Sequence, residues 1–186
     1  MTLLVHASSQ ATAGVTFPAD EPPDRRGTTR AAALRGHLPR AAHRLRAPDR
    51  TSAGTCAALG LTTDADPGLR DWETGRWTGR SLDDVAAAEP DAVTAWLTDP
   101  TAAPHGGESL LDLLGRVRDR LAELPAGHTL AVCGPAVARA AVVVVMGAPP
   151  TAFWRLDAAP LSVTDLRGGP DRWRVRSTGG EVAARG

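Results

Sequence analysis

Lysine is missing from this sequence altogether, and all 21 of its basic residues are arginine. With Ala, Gly, Pro and Val abundant, that pattern fits a GC-rich coding bias, so a given arginine carries less functional weight than usual. Surplus charge is missing too, because 21 acidic residues balance the basic ones. No block of like charge runs beyond a few residues, which leaves nothing for nucleic acid or an acidic membrane surface to hold. Cysteine is scarce. Cys56 and Cys133 lie far apart and make neither a disulfide framework nor a metal-ligand spacing. The longest apolar run, around Ala140 to Met146, falls far short of the roughly 20 residues that span a bilayer. The start, Met1-Thr2-Leu3-Leu4-Val5-His6, has no basic stretch and no long apolar stretch, so it does not read as a signal peptide. The expectation is a cytoplasmic protein with no metal, no cofactor, and no nucleic-acid or membrane partner. Its oligomeric state is left open.

What is present suffices for one domain over residues 1–186, with 42% hydrophobic residues to build a core. Leu3–Val5 reads as a buried strand, and Phe17–Gly27 as a loop rich in Pro and Asp. Thr28–Leu45 reads as helical with an interruption at Pro39, and Thr51–Leu59 as a helix ended by Gly60. Ser81–Ala88 and Asp91–Trp96 read as short helices, each opened by a capping residue. The clearest element is Leu110–Leu124. Its apolar residues Leu110, Leu113, Leu114, Val117, Leu121 and Leu124 recur at helical spacing, with Arg116, Asp119, Arg120 and Glu123 on the other face. Thr129–Cys133 reads as a buried strand, followed by a Gly134-Pro135 turn. Ala136–Met146 then reads as a buried helix, although Val142–Val145 would also suit a strand. Leu161–Leu166 and Arg172–Arg176 read as closing strands, joined through Gly168-Gly169-Pro170. The alternation predicts an α/β fold, a three-layer sandwich around a mostly parallel sheet.

Several segments occur in a telling order. His6 follows the first strand, and FPADEPPDRRG follows it as a loop. Then come RAPDRTSAGTCAALGL, LRDWETGRWTGRSL, PHGGESLLDLLGRV, TLAVCGPAVARA and APLSVTDL, with RWRV at the end. In that order they resemble the histidine phosphatase superfamily, which has the phosphoglycerate-mutase-like fold, over nearly the whole chain. The resemblance implies a histidine that attacks phosphorus. It also implies two arginines and a second histidine that neutralise the phosphoryl oxygens, and a carboxylic acid that protonates the leaving oxygen. Phosphoryl transfer is catalysed mainly by positioning and charge stabilisation, so the cations carry most of that chemistry.

By this resemblance His6 stands at the nucleophile position and Asp71 at that of the acid. The arginine expected before the nucleophile is Val5. The second arginine, four residues before Thr55, is Thr51, with Arg50 beside it. The second histidine is Gly134. Glu108 is a further carboxylate expected near the pocket mouth, the alternative being that it favours the start of the next helix. Candidate binding residues are Arg50 as a substitute cation, Trp72 as an aromatic wall beside Asp71, His105, and Cys133. His105 also fits a surface loop. Cys133 stands before a helix start, where a thiol's pKa can fall, though a buried inert thiol fits as well. Arg139 reads as structural.

Three functions fit these residues. One is a repurposed enzyme of a specialised biosynthetic pathway, using His6, Asp71 and Glu108 for acid/base chemistry on a small organic molecule. Another is a non-catalytic binding protein. The third is a weak phosphomonoesterase acting through phosphorylated His6.

Overall fold

A computed structural model describes residues 1–169 and 172–182. In chain order the elements are β1 (Thr2–Val5), α1 (Gln10–Gly14), α2 (Arg25–Ala33), β2 (His43–Arg46), α3 (Arg50–Leu59), β3 (Asp64–Ala65), α4 (Leu82–Ala88), α5 (Pro90–Thr98), α6 (Leu110–Ala122), β4 (Thr129–Cys133), α7 (Pro135–Met146), β5 (Val163–Arg167) and β6 (Arg174–Gly180). Short 3₁₀ turns lie at Pro67–Leu69, Gly75–Trp77 and Pro150–Arg155. The strands form one mixed sheet in the order β3-β2-β4-β1-β5-β6. The first four in that order are parallel, β5 is antiparallel to β1, and β6 is antiparallel to β5.

The two central strands, β1 and β4, are buried along their whole length, as a strand covered on both faces must be. Their side chains alternate between two cores. Leu3, Val5, Ala131 and Cys133 join residues of α6 and α7 on one face. Leu4 and Val132 join Ala31, Cys56 and Leu59 from α2 and α3 on the other. The result is the expected α/β sandwich of three layers. In α6 the periodic residues Leu110, Leu113, Leu114, Val117 and Leu121 are all buried, each contributing roughly 1.5–3 kcal/mol. A capping box between Ser109 and Asp112 opens that helix.

Some elements depart from the sequence expectation. The stretch expected to be helical to Leu45 leaves the helix after Ala33, and His43–Arg46 forms a strand between β3 and β4. Arginines at 44 and 46 hide the apolar signal that marks a strand in the other central segments. The loop expected to reach Gly27 ends at Asp24, whose carboxylate caps α2 through the Gly27 N–H. Helix α5 starts on Pro90, and its N-cap Glu89 makes no side-chain capping bond. Val142–Val145 are helical, because α7 packs against α6 and the sheet and tertiary burial overrides strand preference. The closing strands begin later than expected, at Val163 and Arg174, and β6 continues to Gly180. Of the expected connector, Pro170 lies outside the described residues. Among the described residues no helix is long and apolar enough to cross a membrane.

Candidate active site

Ligand sites in open α/β sheets collect at the carboxyl ends of the strands. Here β1, β2 and β4 end together and deliver His6, Asp49 and Gly134. The His6 N–H donates to the Cys133 carbonyl at 2.9 Å, and the Ala7 N–H donates to Thr55 Oγ1 at 3.0 Å. The turn after β1 is thereby tied to β4 and α3. Nδ1 of His6 lies 2.9 Å from the Ala7 carbonyl oxygen. A carbonyl can only accept, so Nδ1 carries the proton in this bond, and in the neutral ring the lone pair is on Nε2.

A cleft of ≈ 400 Å³ opens at this edge, lined by His6, Asp49, Thr51, Asp71 and Arg139 on its polar side. Phe17, Leu82, Trp96 and Val15 belong to its apolar wall. Asp49 sits there because it caps α3. Its Oδ1 accepts from the Ser52 N–H at 2.7 Å, while Oδ2 is buried without a partner. The Thr51 hydroxyl is turned away, donating to the Glu21 carbonyl at 2.6 Å.

Asp71 follows the Pro67–Leu69 turn. The Arg116 guanidinium holds that segment by donating to the carbonyls of Gly68 at 3.0 Å and Arg70 at 2.9 Å. Burial pushes the Asp71 carboxyl above its ordinary range. The His6 ring, the Trp72 N–H and Arg116 pull the other way, while Asp49 adds to the rise. Oδ1 of Asp71 is buried without a hydrogen-bond partner. A Cβ on Gly134 would lie only 2.2 Å from Cγ and Oδ2 of Asp71 and 2.4 Å from Oδ1, well inside contact distance. Glycine at 134 is therefore what lets the acid lie against the start of α7. Val5 is buried in the core shared with α6 and α7.

His6 and Asp71 thus meet in one cleft, whereas the other candidates stand outside its lining. Glu108 is buried and ion-paired with Arg116, through Nε to Oε1 at 2.8 Å and Nη2 to Oε2 at 2.7 Å, and with Arg70 at 3.2 Å. Arg50 is exposed, and its backbone N–H donates to Asp20 Oδ1. Trp72 is buried with its ring 5.3 Å from that of Trp96, which is the tryptophan that reaches the cleft. His105 is not a surface loop residue, being only 1% exposed. Its Nδ1 accepts from the Gly107 N–H at 3.0 Å, and its ring lies 5.1 Å from Trp77. Burial and nearby Arg76 hold its imidazole below the ordinary range. Cys133 is buried, and burial together with Asp71 and Asp49 drives its thiol pKa up, not down. The helix start after Cys133 cannot offset the removal of water and two nearby carboxylates.

Sequence reasoning passed over two charged lining residues. Asp49 carried a signal, since Asp-x-x-Ser before a helical run marks an N-cap. Arg139, read as structural, lines the cleft from the second turn of α7. It lies 5.8 Å above the Phe153 ring and 4.0 Å from Asp157, and its Nε is buried without a partner. Among the described residues no three His, Cys, Asp or Glu side chains gather as a metal site would require.

Comparison with known proteins adds to this geometry. The family model for the histidine phosphatase superfamily (branch 1) matches residues 18–179, a stretch that begins after His6. The glucosyl-3-phosphoglycerate phosphatase of Mycobacterium tuberculosis is 43% identical over 69 residues, 37% of this chain and 31% of that protein. The protein of the same name from Mycolicibacterium vanbaalenii is 38% identical over 85 residues, 44% of this chain and 35% of its own length. The matched stretch is thus about a third of the length of these curated relatives. Among solved structures, the native mycobacterial glucosyl-3-phosphoglycerate phosphatase superposes with a TM-score of 0.84 at 24% identity, covering 97% of this chain and 98% of that one. The α-ribazole phosphatase from Shigella flexneri gives 0.82 at 19% identity, with 100% of both chains covered. These two superpositions establish a shared fold.

Proposed function

The chain belongs to the histidine phosphatase superfamily, and from that premise we propose that its cleft works by proton transfer on a small organic molecule, with fast phosphate-ester hydrolysis lost. His6 takes and returns the proton through Nε2, and Asp71 is the partnering acid.

The observation that carries this reading is the Asp71 carboxyl filling the space beside Gly134. The position from which a second imidazole would meet a phosphoryl group is taken by an acid. The other two cation positions offer nothing in exchange. Val5 is packed in the core and the Thr51 hydroxyl is engaged by Glu21. Each charge-assisted hydrogen bond to a phosphoryl oxygen contributes about 1.5–3 kcal/mol. Losing three removes about 5–9 kcal/mol, or roughly three to six powers of ten in rate at about 1.4 kcal/mol each. Arg139 is the arginine of the cleft lining, and Asp157 and the Phe153 ring already engage it in part.

A specific observation favours a second reading. The bond from Nδ1 of His6 to the Ala7 carbonyl leaves Nε2 free as a nucleophile, and the curated relatives are named phosphatases. On that reading the protein is a slow phosphomonoesterase passing through phosphorylated His6. One assay separates the two: turnover of p-nitrophenyl phosphate and of glucosyl-3-phosphoglycerate by the wild type and by His6→Ala. Near-background rates for both proteins are expected. Turnover above background that is lost in His6→Ala overturns the first reading and establishes the second.

A further inference from the structure

We propose that Val15 sets the specificity of this cleft, which takes a molecule with an uncharged hydrocarbon body and seats that body against Val15, Phe17, Leu82 and Trp96. The inference rests on the reading that the His6–Asp71 cleft is the working site, and it names the part of the ligand that does not react.

Val15 stands at the C-cap of α1 with a φ of 49°, in the left-handed region that a β-branched residue enters only at a cost. Bonds to its surroundings impose that conformation. The Val15 N–H donates to the Ala11 carbonyl, and the Val15 carbonyl accepts from the Leu82 N–H at 3.2 Å. Thr16 forms an antiparallel bridge with Ser81, and the Phe17 N–H donates to the Arg80 carbonyl at 2.9 Å. All of these are main-chain bonds, equally open to glycine, which accepts positive φ freely. Val15 is also 68% exposed, more than any other large hydrophobic residue among those described. Its side chain therefore contributes neither a backbone preference nor burial to the free protein. Strain of this kind collects at ligand clamps, and an apolar ligand lying over Val15 would take its carbon out of water.

The rest of the wall is continuous with it. The Phe17 ring lies 5.2 Å from that of Trp77 and 5.6 Å from that of Trp96, and Trp96 lies 4.7 Å from Trp154. These contacts hold the two cleft-facing rings in place. Leu82 is the first residue of α4. All four wall residues line the same cleft as His6 and Asp71. The charged lining residues Asp49, Asp71 and Arg139 come from the α3 cap, the segment after the Pro67–Leu69 turn, and α7. Against the wall itself a charged body would lose its hydration and gain no partner. The wall belongs to a cavity of ≈ 400 Å³ that runs to His6, a size ordinary for small-molecule pockets. A small molecule therefore fits it better than the flat face of a second chain.

The test is a calorimetric titration of 2-phenylethanol, 4-phenyl-1-butanol and 2-phenylethyl phosphate. The longer alcohol is expected to bind about tenfold more tightly than the shorter one, since it buries two further methylenes, and the phosphate most weakly. Val15→Gly is the informative variant. It should weaken 4-phenyl-1-butanol about tenfold, while its melting temperature stays at or above that of the wild type because the strain is gone. Val15→Ile keeps the strain and the carbon surface and should bind the alcohol as the wild type does. Unchanged binding in Val15→Gly, affinity that is flat with chain length, or no alcohol binding at millimolar concentration overturns the proposal. So does a melting temperature that falls together with binding in Val15→Gly, which would make Val15 a support of the fold. Tightest binding by the phosphate, or a wild-type dimer that Val15→Gly dissociates in sedimentation, also overturns it, by marking an anion site or a protein interface. These are equilibrium measurements, so the chain-length trend can fail while phosphatase turnover stays at background. Conversely, the proton-transfer reading can fail in the turnover assay while the longer alcohol still binds best.

Discussion

Replacing Glu108 with alanine removes one member of a buried ion pair and strands the other. The Glu108 and Arg116 side chains are 6% and 12% exposed, and two parallel hydrogen bonds join them. Breaking such a pair from one side costs about 3–5 kcal/mol, because the remaining charge stays in a poorly solvated place. Arg116 keeps its bonds to the Gly68 and Arg70 carbonyls, and Arg70 is 45% exposed and loses little. The lower end, about 3 kcal/mol, is therefore expected, a large share of the roughly 5–15 kcal/mol of a typical domain. With a urea slope of about 2 kcal/mol per molar, the unfolding midpoint should fall by about 1.5 M. Glu108→Gln keeps one acceptor and should lose about half as much. Equilibrium urea unfolding followed by tryptophan fluorescence reads both values. A wild-type midpoint in Glu108→Ala would show that the buried pair adds nothing to stability and would refute this reasoning.

Asp71→Asn should change how stability depends on pH. Burial raises the folded-state pKa of Asp71 above the reference of 3.8, so between those two values the folded protein holds a proton that the unfolded chain has released. Stability from this group is full below the unfolded pKa and is lost as pH rises through the folded one. The asparagine variant should gain on the wild type over that window and hold its advantage above it, as thermal melts at stepped pH will show; a constant difference from acid to neutral refutes the assignment. Both cysteines are buried, and burial drives each thiol pKa upward. A thiol reagent should therefore modify neither in the folded protein and both after denaturation. Rapid labelling of Cys133 in the native state contradicts this. Gly134→His should destabilise by about 1–3 kcal/mol, as overpacking does, because its Cβ collides with Asp71. It should restore no phosphatase activity, and a well-folded variant with raised turnover of p-nitrophenyl phosphate refutes the packing argument.

Period and punctuation alone made much of the architecture legible. The α6 stripe, the all-apolar β1 and β4 segments, and Gly60 closing α3 rest on local rules that neighbours seldom overturn. Strand β2 was not legible, because its arginines mask a pairing that becomes favourable only once β4 and β3 flank it. His6 and Asp71 were named as candidates through the order of segments, and both line one cleft.

The sequence by itself determined the layer order and the presence of a histidine at the end of the first strand. These depend on residue identity and on spacing along the chain. Only the tertiary structure decided which side chains share a cleft. Glu108 is one residue from a helix start, yet its charge is taken up by Arg116 from two turns further along α6 and by Arg70 from a distant loop. Trp72 adjoins Asp71 in sequence but is buried with its ring against Trp96, and Trp96 forms the wall. Neighbouring residues in a loop point in different directions, and whether a charge is free or paired depends on which distant element folds against it.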